Sequence, residues 1–255
     1  MAMSITEIEN NLKRLRLSGM SQTVQGRNIQ AIEGKMSFQE GLSNLIQDEL
    51  DRRGTSLVER RFSLSGLTER KFIKDFDWGF NPKVPKHLIV DLLSLRFIEK
   101  KEDALFIGSS GTGKSHIAKS LALLAIQSGY DVFYREAHHL LSDIQDAEIF
   151  SRVKKLKNQI FKADIVIIDD LFLRKVHPQA AEEICEIVME RYEKGSTLIT
   201  SNRVIEDWGK MLGDEVIVGP ILDRIMHHGH MVRFEGKSWR LSAATQRLAK
   251  SKSVN

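Results

Sequence analysis

The sequence predicts an α/β protein: a parallel sheet with helices on both faces, preceded by a small all-helical region. Three observations predict it. Gly108-Ser109-Ser110-Gly111-Thr112-Gly113-Lys114-Ser115 is a complete G-x-x-x-x-G-K-[ST] pattern between an apolar run and a helical pattern. Apolar runs of strand length then alternate with helical patterns as far as Phe234, the signature of right-handed crossovers in a parallel sheet. Before about residue 66 no strand-like run occurs.

The elements follow in order. Ile5, Ile8, Leu12, Leu15 and Met20 recur at roughly helical spacing, and Gly19 is expected to interrupt that pattern. A second helix is expected from Ser37, with Glu40 as its capping-box partner and Phe38, Leu42, Leu45, Ile46 and Leu50 on one face. Phe76-Asp77-Trp78, Pro82 and Pro85 form a connector with aromatic anchors, and a helix is expected from Pro85 to Lys100. Strands are expected at Ala104–Ile107, Val132–Tyr134, Ile165–Ile168, Thr197–Thr200 and Met231–Phe234. Helical patterns cover Lys114–Ser128, Glu136–Phe161, Pro178–Lys194, Glu206–Leu212 and Ile217–His228. The domain organisation read from this is 1–66, helical, and 67–255, α/β.

Composition narrows the class. The 255 residues are 42% hydrophobic with only 4 prolines, globular values. A net charge of +4 agrees with an anionic partner such as nucleic acid. A lone cysteine, Cys185, excludes an intrachain disulfide, and its apolar helical neighbours mark it as a packing residue. No apolar run reaches membrane-spanning length and the polar N-terminus lacks a signal peptide's core, so a cytoplasmic protein without a membrane partner is expected.

The chemistry is concentrated after residue 107. In the phosphate-loop pattern, glycines let backbone N–H groups close around a phosphate while the following helix adds its partial positive charge. Lys114 brings an ammonium to the β- and γ-phosphates of ATP, and Ser115 offers a hydroxyl to Mg²⁺. Ile165–Ile168 ends in Asp169-Asp170. Beside the phosphate-loop strand, Asp169 would face Mg²⁺ and Asp170 would activate the attacking water. Asn202, after the strand Thr197–Thr200, is a candidate for orienting that water. Arg224 is a candidate for reaching a γ-phosphate held by a neighbouring subunit, and Arg240 a weaker one for sensing nucleotide within its own. His227, His228 and His230 do not make a convincing metal set: two are adjacent, and adjacent residues do not share a helix face.

GSSGTGKSHIAKSLALLAIQSGYDV, IVIIDDLF, TLITSNRVIEDWGK, ILDRIMHHGH and SWRL, with LKRLRLSGM, SFQEGLSNLIQDEL and FDW upstream, resemble the IstB family of AAA+ ATPases, helpers of insertion-sequence transposition related to the DnaC helicase loaders. The resemblance spans nearly the whole chain. It implies an AAA+ P-loop fold with strand order 5-1-4-3-2 and no C-terminal helical lid. It places Asp169 and Asp170 as Walker B, Asn202 as sensor 1 and Arg224 as the arginine finger. It also implies ATP-dependent homo-oligomers on double-stranded DNA that deliver a target to a cognate transposase. Position 170 departs from the family pattern, where Glu is common.

Basic residues would meet DNA phosphates. Candidates are Arg52, Arg53, Arg60 and Arg61, and Lys154, Lys155 and Lys157. No base-reading motif is present, so binding with little sequence preference is expected. Three other functions compete: a DnaC-like helicase loader, a small-molecule kinase and a nucleotide switch that barely hydrolyses. The kinase lacks an acceptor pocket and an arginine-rich lid in this sequence.

Overall fold

The computed structural model describes residues 3–172, 178–212 and 215–252. The chain divides into two compact units, Met1–Arg60 and Arg61–Asn255.

The first unit contains helices α1 (Ile5–Arg14) and α2 (Ser18–Glu33) and most of α3 (Phe38–Ser65). Ser4 and Glu7 cap α1 reciprocally, and Ser37 with Glu40 caps α3 in the same way. Gly19 does not interrupt a helix; it lies in the first turn of α2, where that turn meets α3. A Cβ there would come within 2.6 Å of the backbone at Asp48 and Glu49. The close approach lets the Glu49 carboxylate accept the N–H groups of Gly19 (2.6 Å) and Met20 (3.3 Å), two donors a helix start leaves unpaired. Beside Glu49 on α3, Asp48 is gripped by Arg27 of α2 through two bonds of 2.8 and 2.6 Å, which hold that carboxyl down at about 2.

The second unit is built on five parallel strands: β1 (Ala104–Gly108), β2 (Val132–Glu136), β3 (Ile165–Leu171), β4 (Ser196–Ser201) and β5 (His230–Phe234). Their order is β2-β3-β4-β1-β5, the expected arrangement read from the other edge. The middle strands β1, β3 and β4 are buried almost throughout, as continuous apolar runs between two helical layers must be. The helices are α4 (Lys86–Leu93), α5 (Arg96–Glu99), α6 (Lys114–Gln127), α7 (Ala137–Ile149), α8 (Val153–Lys162), α9 (Pro178–Arg191), α10 (Trp208–Leu212), α11 (Glu215–His227) and α12 (Trp239–Lys252). The single helix expected over Pro85–Lys100 is two, because Leu95 takes a left-handed conformation (φ 62°) that stops α4 and restarts the chain as α5. Cys185 packs against the core from α9.

Two buried polar groups fix the sheet. Asp103 accepts the N–H of Thr197 at 2.7 Å, setting β1 against the start of β4. Arg191, at the end of α9, is 1% exposed and donates to the carbonyls of Ile160 (2.7 Å), Ala163 (2.8 Å), Ser196 (2.8 Å) and Asp164 (3.3 Å). Burial pulls its pKa down to about 10, so it stays charged at neutral pH. It joins the end of α8 to the starts of β3 and β4. Arg191→Met should strand those carbonyls and destabilise the protein by about 3 kcal/mol or more. Urea denaturation measures this, and a loss below about 1 kcal/mol would make the arginine dispensable.

Candidate functional site: the phosphate loop and its acidic strand

The turn from β1 into α6 can be so tight because three of its residues have no Cβ. Gly113 caps α6 at φ 110°, and a side chain there would collide with the Phe76 ring. A side chain on Gly111, at φ 78°, would likewise collide with Ser238. The loop is thus held from two sides, by the segment before α4 and by the segment that opens α12. Trp239 N–H donates to Gly111 O (2.9 Å), Arg240 donates to Ser110 Oγ (3.0 Å), and the Asn81 amide exchanges two hydrogen bonds with Lys237. Phe80 and Trp239 pack edge to face at 4.8 Å.

A cavity of about 450 Å³ opens beside the loop, bordered by Phe76, Phe80, Trp239, Lys114, Asp169 and Asn202 among others. Sites for nucleotide-sized ligands run from roughly 300 to 1,000 Å³. Lys114 is 3% exposed, and its ammonium donates to Gly108 O (2.7 Å), Ser109 O (2.9 Å) and Asn202 Oδ1 (2.6 Å). Burial lowers its pKa to about 8, against the pull of Asp170 and Asp169 in the other direction. An incoming phosphate would replace one of these neutral acceptors with a full negative charge, which favours the ammonium.

Asp169 and Asp170 stand where the β3–β4 register breaks, between Ile168 and Leu171. Asp170 takes φ 53°, so the two carboxylates leave the strand in directions that regular alternation would not permit. Asp169 is 1% exposed. Its Oδ1 accepts the hydroxyls of Thr200 (2.5 Å) and Ser115 (3.0 Å), and its Oδ2 accepts the Tyr134 hydroxyl at 2.6 Å. Asp170 accepts the Asn202 amide at 3.1 Å. Burial, and then the neighbouring Asp169 charge, raise the Asp170 pKa, while Asn202 and Lys114 oppose the rise. Burial, followed by Asp169, likewise raises the Tyr134 pKa, so its hydroxyl remains a donor.

The structure therefore brings Lys114, Ser115, Asp169, Asp170 and Asn202 together. It does not bring Arg224 to them: that guanidinium lies on α11 over the Tyr192 ring (5.9 Å), near Pro220 O and the Asp223 carboxylate. Arg240 reaches the loop through Ser110. The histidines disperse: His230 pairs with Glu102 (2.9 Å), whereas His227 and His228 stand with Glu193 in an exposed group. Of the basic candidates, Arg53 is paired with Glu49, Arg61 with Asp131 and Lys157 with Glu186, while among the described residues Arg52, Arg60, Lys154 and Lys155 are in no such pair; Arg52 is half-buried and the other three are exposed. Sequence reasoning missed Tyr134 and Thr200. Each sits in an apolar strand run where a hydroxyl reads as a β-former, and only the pairing of β2 and β4 against β3 reveals its partner.

Tyr134→Phe keeps the ring and removes the hydroxyl bond to Asp169. Nucleotide affinity without Mg²⁺ should stay within about twofold, and the gain in affinity on adding Mg²⁺ should fall by roughly tenfold, as for lost supporting bonds around other metal ligands. A fluorescent-nucleotide titration with and without Mg²⁺ measures both. An unchanged Mg²⁺ response would show that the hydroxyl does not orient the carboxylate.

Comparison with known proteins agrees with this geometry. The family model described as IstB-like ATP binding protein matches residues 10–247. An ATP-binding protein of insertion sequence IS232 from Bacillus thuringiensis is 31% identical over 93% of this chain and 95% of its own length. Its counterpart in insertion sequence IS5376 from Geobacillus stearothermophilus is 32% identical over 89% of this chain and 91% of its own. AMPPCP-bound DnaA from Aquifex aeolicus superposes with a TM-score of 0.56 at 20% identity, over 72% of this chain and 56% of that one, a likeness of fold. With a complete phosphate loop, an acidic β3 end and this sheet order, the chain belongs to the IstB-like ATP-binding proteins of insertion sequences, on an AAA+ P-loop fold.

Proposed function

We propose that this protein is an ATP-hydrolysing helper of DNA transposition that assembles on duplex DNA and presents that DNA to a cognate transposase. The observation that carries the reading is the convergence of Lys114, Ser115, Asp169, Asp170 and Asn202 on one cavity, with Asn202 bridging the ammonium (2.6 Å) and the Asp170 carboxylate (3.1 Å). The insertion-sequence relatives supply the transposition context. In this reading Gly108, Ser109, Ser110, Gly111, Thr112 and Gly113 wrap the phosphates, and Lys114 binds the β- and γ-oxygens.

The donor set fits Mg²⁺: the Ser115 hydroxyl and the Asp169 carboxylate are hard oxygens 3.0 Å apart. When bound, the ion neutralises charge on the phosphates. Asp170 accepts the proton of the attacking water, and Asn202 holds that carboxylate toward the Lys114 side of the cavity. Arg224, away from its own chain's cavity, acts on nucleotide held by an adjacent subunit. Residues 67–255 are the ATPase domain, and residues 1–66 contribute DNA or partner binding and oligomerisation. Among the described residues no helix is long and apolar enough to cross a membrane. In this reading the protein works in the cytoplasm, with its duplex DNA.

Two substitutions separate these roles. Lys114→Ala should abolish ATP-dependent assembly, seen by size-exclusion chromatography, and assembly that persists would remove the phosphate loop from that role. Arg224→Ala should bind ATP as the wild type does while turnover falls by roughly three orders of magnitude; normal turnover would leave Arg224 a structural residue. The reading as a whole is tested by ATP turnover with and without duplex DNA, sizing the complex in the same samples. Duplex-dependent assembly with faster turnover supports the transposition helper, whereas a response only to single strands or a replicative helicase favours a helicase loader.

A further inference from the structure

A second concavity, of about 710 Å³, lies at the end of the sheet opposite the phosphate loop. Its floor is the start of β2, and α8 forms one wall with the turn that precedes it. Five cations border it, Arg61, Arg152, Lys154, Lys155 and Lys162, against one carboxylate, Asp131, which Arg61 already engages at 3.1 Å. Arg152, Lys154, Lys155 and Lys162 are exposed, and among the described residues none of the four forms an ion pair.

Helical spacing sorts the basic residues of α8. Positions 154, 155, 158, 159 and 162 recur at i, i+1, i+4, i+5 and i+8 and line the concavity, whereas Lys157 points the other way and is held by Glu186 (2.7 Å) and Glu183 (3.5 Å). Lys157 is therefore spent on packing α8 against α9. The free cations are spread in a line rather than converging on one point. Lys154 and Lys162 are eight helical steps apart, about 12 Å along the axis. Over that length one strand of a duplex carries three or four phosphates, at roughly 3.4 Å each along the axis. Asn158 and Gln159, between the cations, add neutral donors of the kind that bond phosphate oxygens.

We propose that this α8 concavity is the surface on which the ATPase unit holds a DNA phosphate backbone, with Arg152, Lys154, Lys155 and Lys162 as the contacting cations and Lys157 excluded. The assignment rests on the duplex-DNA reading above and gives it a location. Contact is to phosphates alone and is indifferent to sequence.

The test is a salt series of duplex binding by the full-length protein carrying Arg152→Gln, Lys154→Gln, Lys155→Gln and Lys162→Gln together. These are surface changes, and nucleotide affinity, read at the opposite end of the sheet, checks folding. Binding should weaken more than tenfold, and the slope of log K against log salt should lose about 3 of its magnitude, near 0.9 per phosphate released. Lys157→Gln should leave the slope as in the wild type. Wild-type affinity and slope in the fourfold variant would overturn the assignment while leaving the DNA reading intact. Failure of the wild-type protein to bind any duplex would instead overturn the DNA reading. Polyglutamate of matched charge displacing the duplex as well as unlabelled duplex does would overturn the nucleic-acid assignment in favour of an acidic protein.

Discussion

A carboxylate cannot be buried without partners, and the site is organised around meeting that requirement at Asp169. Three hydroxyls meet it, from Tyr134 on β2, Ser115 on α6 and Thr200 on β4. Each comes from a different element, so the Asp169 carboxylate also registers the strands on either side of β3 and the helix that follows the phosphate loop. Displacing any of these elements would leave a buried charge short of a donor. The chemistry and the packing of the sheet are in this respect one network.

Lys114 shows the same economy. Its ammonium is fully bonded to the loop's own carbonyls and to Asn202. Asn202 in turn ties the position of the lysine to Asp170. Aromatic and polar groups from the segment before α4 and from α12 brace the loop from outside, through Phe76 at Gly113 and Ser238 at Gly111. The glycines serve this bracing as well as the approach of phosphate.

Much of this was legible in the residues. The alternation of apolar runs and helical patterns marks every strand, and the phosphate loop and Asp169-Asp170 announce themselves by spacing. What spacing does not carry is any partnership across the sheet: Tyr134 and Thr200 look like ordinary strand residues until β2, β3 and β4 are aligned. Gly19 misleads for a related reason, since the α3 backbone it makes room for is thirty residues away. The break at Leu95 is equally silent, because a left-handed leucine has no sequence signature. Lys154, Lys155 and Lys157 read as one basic run, and the pairing of Lys157 with Glu186 of α9 shows which of them is engaged.

The left-handed turn at position 170 bears on which acid evolution can place there. With φ at 53°, that residue occupies a region that Asp and Asn enter far more readily than longer side chains do. A glutamate would reach further but would load extra strain onto a backbone already bent by the register break. The short acid is thus matched to the geometry of its strand.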